Sequence, residues 1–349
     1  MPFDDVRMVI ERAIDARVFP AATGEVGSTA GPLWTGAFGT LTFDPDAAAT
    51  TIGVIFDLAS LTKPIATTTV IMDLVRSGAI ALDAPVADFF EDWRGVDREA
   101  VTVRDLLEHA SGLPARLVDQ PPATRREFEH EIGTIKLEYP PRTRSIYSDL
   151  GFILLGFLAA DRGRAPLDVL FDRITVRLTA SATATVVEKP GDLTFIVPTM
   201  RRDLVAPTEP MDVDPRRGRR LVGEVHDDYA AALGGVAGHA GLFGSAAAVG
   251  QFARAMLRAE GAIRLFTTGS TVPGSSRALG WDTMLPTSSC GTRMSSTAFG
   301  HVGFTGTSLW IDPARDRYFV LLTNRVCGGG TLDQMREVRR AFHDALGDI

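Results

Sequence analysis

The feature that most constrains this chain is the position of its strand-like segments, which sit at opposite ends. Near the C-terminus, "TSLWIDP" and "RYFVLLTN" are separated by "ARD" and read as an antiparallel hairpin. Residues 21–45, with "ATGEVG" and "PLWTGAFGTLTF", read as a second hairpin with glycine at the turns, and 52–58 as a further extended piece. Between the ends the pattern is helical. In 60–78, Ile65, Val70, Ile71, Leu74 and Val75 are apolar almost all round, which predicts a buried helix with Pro64 in its first turn and Gly78 as its C-cap. "VTVRDLLEHASGLP" begins at the N-cap Thr102, and 150–160 is a second buried helix. Residues 187–225 are rich in Pro and Arg without a period and are expected to form a wall or lid. In the last helix, Leu332, Met335, Val338, Phe342 and Leu346 recur at steps of three and four, a stripe that can lie on a sheet. Strands from both termini must share one sheet. The expected α+β organisation is therefore a discontinuous sheet domain of 1–57 with 235–349, an α-rich insert of 58–234, and a site at their interface.

Charge narrows the function classes. The 36 basic and 43 acidic side chains among 349 residues leave a net charge of −7, which gives no support to nucleic-acid or anionic-membrane binding. The one basic cluster, "RRGRR" at 216–220, lies among Glu209, Asp212, Asp214 and Glu224 and reads as a set of surface ion pairs. Cys290 and Cys327 are too few for a disulfide framework or zinc site and are expected to be free thiols. The N-terminal segment has early acids and helical spacing at Val6, Val9, Ile10 and Ile14, so it reads as a surface helix of the fold and not a signal peptide. No apolar run is long enough to span a membrane, and cytoplasmic residence is the default expectation.

Three groups carry potential chemistry. Ser60 and Lys63 stand at i and i+3, which on a helix face the same way about 5–6 Å apart at Cβ. A serine at a helix start has its own N–H free as an oxyanion donor, and a neutral lysine beside it can take the hydroxyl proton. The bland reading is a helix-capping serine with Lys63 reaching to solvent. In "RSIYSDLGFILLG", Tyr147 and Asp149 precede a buried helix and can both point into a cleft. For Tyr147 to act as a base near neutral pH, its pKa of about 10 must fall by about three units, and Lys63 is the candidate cation. The bland reading is a buried tyrosine with Asp149 as a helix cap. In "FGHVGFTGTSLWIDP", His301, Val302 and Gly303 lead into a strand, Gly303 permits close backbone approach, and the N–H of Phe304 is a candidate second oxyanion donor. His301, titrating near neutrality, is a candidate binder of an acyl or carboxylate group. Its bland reading is a turn histidine.

Taken together, the order Ser60-Leu61-Thr62-Lys63, Tyr147-Ser148-Asp149, His301-Val302-Gly303 resembles the serine β-lactamase and penicillin-binding-protein superfamily, in its class C-like branch of D-aminopeptidases, carboxylesterases and related hydrolases. "LLEHASGLP" and "GEVHDDYAAALGGVAGHAGLFG" resemble flanking segments of that family. The resemblance implies an antiparallel sheet flanked by helices plus an all-helical insert. It also implies a Ser60 nucleophile with Lys63 and Tyr147 sharing base and acid roles, and acyl-enzyme chemistry on a small acyl substrate without metal or cofactor. Val302 stands where the family usually has threonine, and His301 where many β-lactamases have lysine. Both changes weaken a carboxylate site, so neutral esters or small amides are the expected substrates. Asp149 replaces a common asparagine. It would raise the Tyr147 pKa, and pairing with Lys63 would keep that amine protonated, so Lys63 and Tyr147 stand as alternative bases. Two rivals remain. A Ser–His–Asp hydrolase using His301, His109 or His239 lacks the G-x-S-x-G elbow, and a non-catalytic sensor on the same scaffold would not need Ser60, Lys63 and Tyr147 intact.

Overall fold

The computed structural model describes residues 3–117, 121–180, 193–259 and 261–347, without the side chains of 175–180 and 262. Residues 187–192 of the expected wall segment lie outside these. Helix α1 (Asp4–Asp15) leads into the hairpin β1 (Ala21–Ser28) and β2 (Gly31–Gly39). A short strand β3 (Phe56–Asp57) precedes the helical stretch: α2 (Thr69–Arg76), α3 (Val103–Leu107), α4 (Arg125–Thr134), α5 (Asp149–Gly163), α6 (Leu167–Ala180) and α7 (Asp228–Ala232). The chain then returns through β4 (Phe243–Gly244), α8 (Ala246–Arg258), α9 (Ala262–Thr267), β5 (Asp282–Thr283), β6 (Phe299–Val302), β7 (Ser308–Asp312), β8 (Arg317–Thr323) and α10 (Leu332–Ala345).

The strands from both ends form one six-stranded antiparallel sheet in the order β2-β1-β8-β7-β6-β5. The join between the termini is β1 on β8, with Gly24 opposite Leu321. Every residue of β1 is buried, because the sheet is covered on both faces. On one face α1 and α10 pack through Val6, Ile10, Met335 and Phe342 onto Trp310 and Phe319. Leu332, counted in the apolar stripe from spacing alone, is 52% exposed at the first turn of α10. On the other face α8 comes close enough that a Cβ on Gly250 would lie 1.9 Å from Glu25 Oε1. Beyond α8 lies the larger core, centred on α5, whose Leu150, Phe152, Ile153, Leu154 and Leu155 are all buried.

Capping explains several boundaries. Thr102 and Asp105 form a reciprocal capping box at α3, and Gly78 takes φ +75° after α2. The 60–78 segment is not a uniform helix. It opens with a 3₁₀ turn over Ala59–Leu61, widens to π-helical spacing over Lys63–Thr68, and becomes α-helical only in α2. Pro64 cannot donate to the carbonyl of Ser60, which breaks the α ladder there. The "RRGRR" arginines form ion pairs in three cases: Arg216 with Asp214, Arg219 with Glu224, and Arg220 with Asp44 and Glu209. Cys290 and Cys327 are free, and burial pushes their thiols up to about 12 and about 11. Among the described residues, no helix is long and apolar enough to cross a membrane.

Candidate active site

The turn carrying Ser60 is built by side chains that grip backbone. The buried Asp57 accepts from the N–H of Ala59 at 2.8 Å and from that of His226 at 2.6 Å. Ala59 is thereby held at φ +48°, a left-handed conformation that costs a side-chain-bearing residue about 1–3 kcal/mol. Burial pushes the Asp57 carboxyl up to about 6 in spite of those two bonds. From the sheet, Thr305 Oγ1 donates to the carbonyl of Asp57 at 2.7 Å, and Thr307 Oγ1 to that of Leu58 at 3.0 Å. The end of β6 therefore lies directly against the serine turn. A Cβ on Gly303 would sit 2.5 Å from the Leu58 carbonyl, so only glycine fits there.

The 3₁₀-to-π path turns Lys63 inward, where it is fully buried. Its Nζ lies among four acceptors for its three N–H bonds: Ser60 Oγ at 3.0 Å, Tyr147 OH at 2.5 Å, Asp149 Oδ1 at 2.7 Å and the carbonyl of His239 at 3.2 Å. Tyr147 OH donates to Ser60 Oγ at 2.7 Å, closing a hydroxyl–amine–phenol triangle. The glycine-rich 238–244 stretch supplies the fourth contact because it lies against α5: a Cβ on Gly238 would meet the Phe152 carbonyl at 2.0 Å. Asp149, the first residue of α5, does not serve as a side-chain cap. It bridges Lys63 and Arg116, and Arg116 in turn pairs with Asp227 at 2.9 Å and with Asp228.

The resting protonation departs from what a base on Lys63 or Tyr147 requires. Burial pulls the Lys63 pKa down, but Asp149 and Tyr147 outweigh it and the net direction is up. Burial raises the Tyr147 phenol, and the Lys63 charge does not bring it below its ordinary value, with Asp149 adding to the rise. The resting triangle thus holds an ammonium and a neutral phenol. His301 departs too. Burial, Arg277 and Lys63 hold its pKa well below the ordinary imidazole value, and its Nδ1 lies 2.8 Å from the Val302 carbonyl. It is a neutral imidazole at neutral pH, where the sequence reading has it titrating near neutrality.

The remaining groups fall around this triangle. His301 and His109 flank the Tyr147 ring, with centroids 5.9 and 4.7 Å away, and Ser148 N–H donates to His109 Nδ1 at 3.1 Å. Val302 is half-buried at the end of β6. β5 pairs with Phe299 and Gly300, so Val302 lies beyond the end of that pairing. Phe304 is 44% exposed, stacked on His226, and among the described residues neither its N–H nor that of Ser60 meets a backbone acceptor. His239 pairs with Asp227 at 2.7 Å. Sequence reasoning missed Asp57, Ala59, Arg116 and Arg277. The guanidinium of Arg277 lies 5.3 Å from the Tyr147 ring centroid and makes no ion pair among the described residues. None of the four carries a local signal, since each is defined by a contact distant in sequence or by a backbone angle.

A serine hydroxyl held by an amine and a phenol, on a strained turn against an antiparallel sheet, defines a serine hydrolase. Comparison with known proteins agrees. The Beta-lactamase family model matches residues 21–342, so the chain belongs to that family. It is 29% identical over 317 residues to the "Putative D-alanyl-D-alanine carboxypeptidase" of Escherichia coli (strain K12), covering 79% of this chain and 70% of that protein. Its fold is similar to "a class C beta lactamase", with TM-score 0.76, 16% identity, and 99% and 98% of the two chains covered. It is also similar to EstCE1, "a hydrolase with promiscuous acyltransferase activity", with TM-score 0.75, 17% identity and the same coverage.

Proposed function

We propose that the protein hydrolyses an ester, amide or β-lactam carbonyl through a covalent acyl-enzyme on Ser60. The observation that carries this is the triangle, in which Ser60 Oγ lies 3.0 Å from Lys63 Nζ and 2.7 Å from Tyr147 OH. The reactive form has lost one proton from the Lys63–Tyr147 pair. That pair takes the Ser60 proton as Oγ bonds to the carbonyl carbon, and the negative oxygen is received by the N–H groups of Ser60 and Phe304. Tyr147 then passes a proton to the leaving group as its bond to the carbonyl carbon breaks, and a water that gives a proton to the same pair attacks the acyl carbon, breaking the acyl–Oγ bond as the pair returns the proton to Ser60 Oγ.

Neutral esters or small amides are the favoured substrates, since Val302 offers no hydroxyl and His301 no charge. A second reading, substrates bearing a carboxylate, is favoured by Arg277 and by the name of the carboxypeptidase relative. Labelling with a fluorophosphonate followed by peptide mass spectrometry tests the nucleophile. An adduct on Ser60 that is absent in Ser60→Ala supports the enzyme, and no adduct supports a non-catalytic binder. A panel of p-nitrophenyl esters, nitrocefin and a D-Ala-D-Ala-terminated peptide, run on wild type and Arg277→Ala, separates the two substrate readings. A neutral ester that outperforms the peptide, with little effect of Arg277→Ala, supports the first.

A further inference from the structure

The turn that presents the Phe304 N–H is held from behind by two arginines. Arg339, on α10, donates through Nη2 to the carbonyl of Gly303 at 2.6 Å and to that of Thr307 at 3.0 Å. Arg325, just after β8, donates to the carbonyl of Phe304 through Nη2 at 2.6 Å and Nε at 3.1 Å, and to that of Gly330 at 2.6 Å. Both side chains are about 95% buried, and neither forms an ion pair among the described residues. Among the described residues, their hydrogen-bond partners are all peptide carbonyls, and Arg339 Nε has no partner.

Burying a cation without a carboxylate is strongly unfavourable, because the charge loses its hydration. Burial, with Arg325 adding repulsion, lowers Arg339 to about 9, and burial lowers Arg325 as well. Neutral amide side chains or a water could satisfy the same carbonyls without this cost. What a cation adds is a positive field, and its position gives that field a use. The Gly303 carbonyl and the Phe304 N–H belong to one peptide unit. A charge-assisted bond to the carbonyl draws electron density from the nitrogen and makes the N–H a stronger donor. The guanidinium stands on the oxygen side of that peptide, so the dipole it reinforces has its positive end at the Phe304 N–H, the candidate oxyanion donor.

We infer that Arg339, supported by Arg325, is a positioning residue that orients and polarises the Gly303–Phe304 peptide as an oxyanion donor. It touches no substrate and acts through the peptide. This rests on the acyl-enzyme reading above. Removing an entire oxyanion donor costs about 10²–10³-fold in kcat, so weakening one should cost about tenfold.

The test uses Arg339→Gln, which can keep a hydrogen bond to the Gly303 carbonyl without the charge, and Arg339→Lys, which keeps the charge. Folding is checked by thermal melting, and Arg325→Gln, read in the same way, serves if the first variant does not fold. Each protein is acylated with a p-nitrophenyl dimethylcarbamate carrying a ¹³C carbonyl. Mass spectrometry confirms the adduct, and difference infrared spectroscopy reads the acyl carbonyl stretch. Expected are a roughly tenfold fall in kcat with KM little changed in Arg339→Gln, a stretch moved to higher frequency, and partial return of both in Arg339→Lys. A Ser60 adduct with the same stretch in wild type and Arg339→Gln overturns this inference alone. Absence of any adduct in wild type overturns the acyl-enzyme reading and this inference with it.

Discussion

Replacing Asp149 by asparagine isolates the carboxylate that raises both Lys63 and Tyr147. Asn is nearly isosteric and its amide oxygen can still accept from Lys63, but the charge 2.7 Å from Nζ is gone. At an effective dielectric constant of about 20, Coulomb's law puts that attraction at roughly 6 kcal/mol. This is a ceiling, because Arg116 faces the other Asp149 oxygen at 3.3 Å and offsets part of its charge. Opposite charges at such range ordinarily move a pKa by about 1–3 units, or about 1.4–4 kcal/mol. The sign follows from the directions in the native site. Asp149 raises Lys63 and also raises Tyr147, so removing it lowers both. If the reactive form has lost a proton from this pair, the acidic limb of kcat/KM against pH moves down by about 1–3 units in Asp149→Asn. At a pH well below the wild-type limb, the variant then hydrolyses a neutral p-nitrophenyl ester about tenfold or more faster than wild type. The assay is kcat/KM from pH 5 to 10, with thermal melts confirming folding over the same range. A limb that stays in place or moves up would refute the assignment of the kinetic proton to Lys63 and Tyr147.

Other expectations follow from single groups. Val302→Thr places a hydroxyl at the half-buried end of β6 and should improve hydrolysis of carboxylate-bearing over neutral substrates by about 1–3 kcal/mol, and an unchanged ratio counts against a substrate contact at this position. Because His301 is held neutral, the ratio of anionic to neutral ester hydrolysis should vary no more across pH 5.5 to 8 in wild type than in His301→Ala; a wild-type ratio that falls through the imidazole range would show a cation after all. Burial pushes the Asp57 carboxyl up to about 6 from an ordinary 3.8, so its contribution is fully present below pH 3.8 and is lost as pH rises through 6. That difference amounts to about 3 kcal/mol. Chemical denaturation should therefore show Asp57→Asn gaining about that much relative to wild type between pH 4 and 7, and parallel stability profiles would refute a raised carboxyl pKa.

Local pattern reached a definite distance in this chain. The two terminal hairpins, the buried helix before Gly78, the cap at Thr102 and the apolar run of α5 are written in alternation, periodicity and turn residues, and these act over a few neighbours. The same reading places Ser60 and Lys63 on one face, because i and i+3 are neighbours on any helical turn. It left open what distant neighbours do to charge. Whether Lys63 is neutral or cationic depends on Asp149, 86 residues on, and whether His301 is charged depends on its burial beside Arg277 and Lys63. The left-handed Ala59 needs Asp57, Thr305 and Thr307 to hold its turn, and the Phe304 peptide is gripped by Arg325 and Arg339 from other elements. Periodicity fixes which side of an element is apolar, and so the fold class. Desolvation and Coulomb energies depend on distances through space, so proton positions and the shape of the site were decided only when the chain closed on itself.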